Sequence, residues 1–294
     1  MSKNIALVLS SGGARGFAHI GAIKELVRSG YNITSVAGTS MGALVGGIYA
    51  AGGLEPLEEW LKSLDVMEVL KLTDFSISTK GLVKGNRIIK KMKEIIPERN
   101  IESLEIPFSA VATDIINGNE KVFTEGSLYE AIRASISIPT VFQPARIGDN
   151  YYVDGGVMNP IPINRVKRHE GDSLVVVNVN FFNPNGNEAK LEKKSAGKPD
   201  HEYSVMIGKI MEKLENMVPR NNNDDISIFN LTNRSISLML YRISTLTMTN
   251  YKPDLIINVS RDNHSTYDFY RAKEIIEDGE KAAKLAISLL EKGK

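Results

Sequence analysis

Ser40 lies in Gly38-Thr39-Ser40-Met41-Gly42, a G-x-S-x-G pattern with apolar residues before it and Ala43, Leu44 and Val45 after it. A serine at such a place is thrust out on a sharp turn between strand and helix, and the flanking Gly38 and Gly42 let neighbouring backbone pass without a Cβ clash. Its hydroxyl then lies near a helix N-terminus, where developing negative charge is favoured. The plain alternative is a tight turn of small residues.

A serine nucleophile needs a base. The chain has four histidines, His19, His169, His201 and His264. His169 in KRHEGD and His264 in RDNHST read as solvated loop residues. A Ser–Asp–His hydrolase also has several strands before its elbow, whereas only one strand candidate precedes the elbow's own strand here. A carboxylate acting directly on the serine is the other route, and Asp154 is the candidate. It closes the strand-like run of YYVDGGVMNPIP, and Gly155 and Gly156 follow it. A carboxylate there can approach another turn closely, although Asp-Gly-Gly is also an ordinary turn sequence. A free Asp, with a pKa of about 3.9, is a weak base. Burial raises that value, and a hydrogen bond to Ser40 would position the group. Asp114, at the strand-like end of SAVATDI, is a second carboxylate, read as a residue that caps or braces the site.

The third stretch is SSGGARGFAHIGA, Ser10 to Ala22, directly after the apolar run IALVL. A dinucleotide loop wants G-x-G-x-x-G and an acid at the end of the second strand. Here Ser11 holds the first glycine position, and the second strand ends at Gly38-Thr39-Ser40. No Gly-Lys-Ser/Thr closes the loop, so it is no P-loop. Glycine-rich backbone ahead of a helix aims several N–H groups at one point, which suits a tetrahedral oxyanion as well as a phosphate. Arg15 adds positive charge, turned either toward the anion or back as a brace.

The elements that must hold these residues alternate. Strands are expected at Ile5–Leu9, Ser35–Gly38, Phe108–Asp114, Lys121–Thr124, Tyr151–Asp154, Ser173–Val179 and Leu255–Val259. Helices are expected at Gly16–Ser29, Met41–Ala51, Leu54–Ser63, Asn86–Ile96, Leu128–Ser137, Ile161–Arg168, Ser235–Asn250 and Tyr267–Lys292. That succession argues for an α/β fold with a parallel or mixed sheet covered on both faces. Phe182–Asp200 and Asn221–Asp225 are polar breaks. Between them Val205, Met206, Ile210, Met211, Leu214, Met217 and Val218 form a helical apolar stripe. It reads as a core-packing helix, a flap over an apolar ligand, or a homodimer contact. No repeat or domain boundary is evident, so 1–294 reads as one domain, with 181–230 as its variable region.

With 294 residues, 42% hydrophobic and 24% charged, the chain has ample material for a core. A net charge of +1 without charged blocks argues against a nucleic-acid binder. The absence of cysteine excludes disulfides, thiolate metal sites and cysteine nucleophiles. With no stretch resembling a signal peptide or a membrane span, the expectation is a cytoplasmic protein that touches membranes peripherally.

SGGARG, GTSMG and DGG in this order resemble the patatin-like phospholipases, specifically their bacterial members. ATD at Ala112–Asp114, IRASISIPTVFQP at Ile132–Pro144 and DGGVMNPIP at Asp154–Pro162 extend the resemblance, which covers about Ile5 to Asn180. It implies a three-layer α/β/α fold and a Ser–Asp dyad, with Ser40 the nucleophile and Asp154 the base. It implies an oxyanion loop of Gly12, Gly13, Ala14, Arg15 and Gly16, with the amides near Gly13 and Ala14 as donors. Ser11 departs from the family loop, which begins with glycine. The implied substrates are fatty acyl esters of phospholipids, lysophospholipids or acylglycerols, with no metal or cofactor and transient contact with a membrane or micelle surface. Two other readings use the same residues. One is acyl transfer to an alcohol by the same dyad; the other is a nucleotide-binding regulatory module built on the Ser10–Gly16 loop.

Overall fold

A computed structural model of the chain describes residues 1–72, 83–139, 141–182 and 228–292. Its centre is β1 (Asn4–Leu9), apolar at every position after Asn4 and buried on both faces. Ile5, Leu7 and Leu9 point into one core, and Ala6 and Val8 into another across the sheet. Each large side chain so buried contributes about 1.5–3 kcal/mol. β1 pairs in parallel with β2 (Asn32–Thr39) on one side and, across the sheet, with a strand far along the chain, β7 (Ser173–Phe181).

The other strands are β3 (Phe108–Asp114), β4 (Asn119–Phe123), β5 (Ala145–Ile147), β6 (Asn150–Asp154) and β8 (Leu255–Ser260). The sheet runs β5-β6-β3-β2-β1-β7-β8, with β4 also paired to β3. From β3 through β8 it is parallel, while β4, β5 and β6 make an antiparallel edge. Leaving β1, the chain builds outward to β2 and β3, then returns to β1's other flank with β7. The carboxyl end of β1 is therefore a switch point, where open α/β sheets form their crevice.

One edge detail positions the site. β4 occupies Ala110–Asp114 along one edge of β3. On the opposite edge β2 covers Phe108–Val111 and β6 covers Ala112–Asp114. β2 runs parallel to β3 and β6 antiparallel, so they meet head to head: Thr39 pairs with Val111 and Asp154 with Ala112.

One face of the sheet carries α1 (Ala18–Arg28), α2 (Met41–Ala50), α3 (Leu54–Ser63), α4 (Val66–Leu72), α5 (Asn86–Ile95) and α6 (Leu128–Ser135), followed much later by α8 (Ala272–Lys292). The start of α6 is capped by Ser127, whose hydroxyl accepts the Glu130 N–H at 3.1 Å. The other face is thinner. Ile161, Ile163 and Val166 cover it with Met248 of α7 (Ile228–Tyr251). The sheet and its two covering layers accord with the expected α/β architecture, with one correction. Ile161–Arg168 is not an α-helix; only a 3₁₀ turn forms at Ile163–Arg165. Pro160 and Pro162 lack the N–H and bias their predecessors to extended backbone, so a helix cannot start there cleanly.

α8 begins at Ala272 rather than Tyr267, after a 3₁₀ turn at Phe269–Arg271. The polar breaks beyond Phe182 and the stripe at Val205–Val218 lie outside the described residues. Among the described residues no helix is long and apolar enough to cross a membrane.

Candidate active site

The head-to-head meeting of β2 and β6 places Ser40 and Asp154 together. Ser40 follows β2 and caps α2 with φ 58° and ψ −125°, a backbone that residues other than glycine rarely adopt. Such strain persists only where surroundings enforce it. The Ser40 N–H donates to Ser135 Oγ at 2.8 Å, and that hydroxyl donates to the Val111 carbonyl at 2.6 Å. The elbow is thus tied to β3 through α6. Close backbone approach explains the glycines: a Cβ on Gly38 would sit 2.3 Å from the Gly42 carbonyl oxygen, and one on Gly42 2.3 Å from that of Leu9.

Asp154 ends β6. Its N–H donates to the Ser137 carbonyl at 2.9 Å, and its own carbonyl accepts from Thr113 Oγ1 at 3.1 Å. Its carboxylate accepts the Gly156 N–H at 2.7 Å, and the Ser40 hydroxyl beside it favours its ionised form. Gly155 is required at the junction, since a Cβ there would lie 2.2 Å from the Val111 carbonyl oxygen. Ser40 and Asp154 are 2% and 6% exposed, so the pair is almost fully desolvated. Burial pushes the Asp154 carboxyl up to about 6, against the Ser40 hydroxyl and the Gly156 N–H, which pull it down. The weak base of the free side chain becomes one matched to neutral pH.

The loop after β1 leads into a 3₁₀ turn at Gly13–Phe17, ahead of α1. Gly13 sits at φ +57°, and Gly16 packs where a Cβ would lie 2.4 Å from Met41 Cγ, so the loop presses on the residue next to Ser40. Gly12 has φ 172° and ψ 3°. With ψ near zero and φ near 180°, the N–H groups of Gly12 and Gly13 lie in one plane and converge on a single acceptor position. Neither has an acceptor among the described residues. Two converging free donors are the makings of an oxyanion hole.

Ala14 needs a correction as a donor: its N–H donates to the Thr266 carbonyl at 2.9 Å. Arg15 and Gly16 lie within the 3₁₀ turn, whose N–H groups point back along its own axis. The Arg15 side chain is a brace. Its Nε donates to the Gly12 carbonyl at 3.4 Å, and burial, with Arg261 nearby, lowers its pKa to about 10.

Asp114 does not reach the pair. Its carboxylate accepts the N–H groups of Ile116 and Asn117 at 2.9 and 3.0 Å and so caps its own turn. His264 is a second correction: it is buried, with Nε2 3.1 Å from Asp278 Oδ2, rather than solvated. His169 is exposed, as expected. Ser135, Thr266, Asn180 and His19 all hold the site or its loop, and sequence reasoning gave none of them that role. Ser135 and His19 lay in stretches that drew notice, IRASISIP and SSGGARGFAHIGA.

Comparison with known proteins gives the family. The sequence profile of the Patatin-like phospholipase family matches residues 7–166. An uncharacterized NTE family protein of Mycobacterium bovis is 30% identical over an alignment 351 positions long, gaps included, covering 99% of this chain and 93% of that protein. Patatin-like phospholipase domain-containing protein 6 of Mus musculus is 30% identical over 187 residues, 60% of this chain but only 14% of that one. Among solved structures, VipD from Legionella pneumophila aligns with a TM-score of 0.49 and 16% identity, over 98% of this chain and 67% of its own. On its profile match and its near full-length relatives, this chain belongs to the patatin-like phospholipase family.

Proposed function

We propose that the chain is a serine acyl hydrolase working through a Ser40–Asp154 dyad on fatty acyl esters of phospholipids, lysophospholipids or acylglycerols. Family membership supports lipid acyl hydrolysis in general. The observation that carries the finer reading is the meeting of β2 and β6 on β3, which sets Ser40 beside a buried carboxylate raised by burial to about 6.

The Ser40 proton passes to Asp154 as Oγ adds to the ester carbonyl carbon. The carbonyl oxygen becomes an oxyanion, held by the Gly12 and Gly13 N–H groups and favoured by the N-terminus of α2. In a comparable hydrolase, removing one such donor costs about 3–4 kcal/mol of transition-state stabilisation. The intermediate collapses, the C–O bond to the alcohol breaks, and the leaving oxygen takes the proton from Asp154. Water then gives a proton to Asp154 as its oxygen adds to the acyl carbon. The second collapse releases the fatty acid and returns the proton to Ser40.

Ser40→Ala and Asp154→Asn should each lower hydrolysis of a chromogenic acyl ester by at least about 10³-fold with the thermal melt retained. Near-normal turnover in Asp154→Asn with loss in Asp114→Asn would overturn the base assignment. Tight calorimetric binding of NAD, ATP or GTP without Ser40-dependent hydrolysis would favour the nucleotide-binding reading instead.

A further inference from the structure

Three consecutive peptide carbonyls behind the candidate oxyanion hole are each held by a different side chain. His19 Nε2 lies 2.8 Å from the Ser10 carbonyl oxygen. A carbonyl can only accept, so Nε2 carries the proton, and complete burial keeps the ring neutral by pushing its pKa down to about 4. The Asn180 side-chain amide donates to the Ser11 carbonyl, and Arg15 Nε donates to the Gly12 carbonyl. In a trans peptide the C=O and the following N–H point in opposite directions. Fixing the Ser11 carbonyl therefore aims the Gly12 N–H, and fixing the Gly12 carbonyl aims the Gly13 N–H. The flanking N–H groups are consumed, Ser11 by the Pro160 carbonyl at 2.8 Å and Ala14 by that of Thr266. Only the two in the middle are left, and they converge.

Asn180 is itself held. Its backbone N–H donates to Asn178 Oδ1 at 3.1 Å, and Asn178 Nδ2 donates to Asn258 Oδ1 of β8 at 3.1 Å. A ladder of amides thus runs from β8 through the end of β7 to the loop after β1.

We propose that Asn180 is a positioning residue for the acyl-transfer reaction, setting the Gly12 N–H for the oxyanion by holding the Ser11 carbonyl, with Arg15 doing the same for Gly13. The proposal rests on the reading of Ser40 as nucleophile. The isosteric Asn180→Asp removes the donor at neutral pH and sets an anion against the carbonyl. Expected is a kcat for a soluble acyl ester lower by about 10–100-fold, short of full loss of a donor, with KM within about twofold. A trifluoromethyl ketone, which adds to Ser40 and carries an oxyanion, should lose affinity by the same factor as kcat/KM. A merely structural residue would not couple those two quantities. If Asn180→Asp fails to fold by thermal melt, Asn180→Ala carries the same pair of measurements. Turnover within twofold of the wild type, or a rise in KM alone, overturns the role of Asn180 while leaving the dyad standing. A wild-type protein without Ser40-dependent hydrolysis overturns the dyad, and this proposal with it.

Discussion

Asp154 combines two opposing demands. The burial that suits its carboxylate to the proposed role of base also disfavours its charge. The native carboxyl titrates at about 6 against an ordinary 3.8, so the folded state binds the proton more tightly than the unfolded chain. Stability associated with this group is full below about 4 and is lost as pH rises through about 6; at pH 8 the ionised side chain costs at most about 3 kcal/mol. Asp154→Asn escapes that cost. The variant should resist urea or heat better than the wild type at pH 8, with the advantage shrinking toward pH 4. Melts at the two pH values check this, and lower stability at pH 8 would contradict it.

At the scale of elements, the proposed Ser40–Asp154 dyad depends on two strands ending against one edge of β3. Gly155→Ala would drive a Cβ to 2.2 Å from the Val111 carbonyl and push the end of β6 away from β3. Expected are a loss of about 1–3 kcal/mol in denaturant titration and a fall in kcat of tenfold or more. An unchanged kcat would mean that the junction does not set the dyad. Ser40, Asp154 and the loop were legible in the sequence because their signals are local: glycines beside one reactive residue, bounded by a β-branched or apolar run. Ser135 acts on the Ser40 N–H across 95 residues and Asn180 on the Ser11 carbonyl across 169, and no periodicity encodes such pairings. β5 has three residues, too few for an alternation to register. The expected helix at Ile161–Arg168 failed because two prolines outweighed apolar spacing.

At the scale of the molecule, the described part of the chain beyond the family-matched 7–166 completes the site from behind. Thr266, between β8 and α8, accepts the Ala14 N–H, and α8 lies backbone to backbone on α1. A Cβ on Gly279 would sit 1.9 Å from the Ala18 carbonyl oxygen, and one on Gly21 2.0 Å from that of Ile276. Gly279→Ala should therefore lower the melting temperature and, by shifting α8 and the Thr266 loop, also reduce kcat. A lowered melt with unchanged kcat would separate the helix pair from the site. The central claim, that Asp154 is the base for Ser40, is tested most directly by kcat/KM for a soluble acyl ester as a function of pH in wild type and Asp154→Asn. The predicted result is a wild-type profile that rises through about pH 6 and levels above 7, with the variant lower by at least about 10³-fold and lacking that inflection. A variant that keeps the wild-type rate and the same inflection would contradict it.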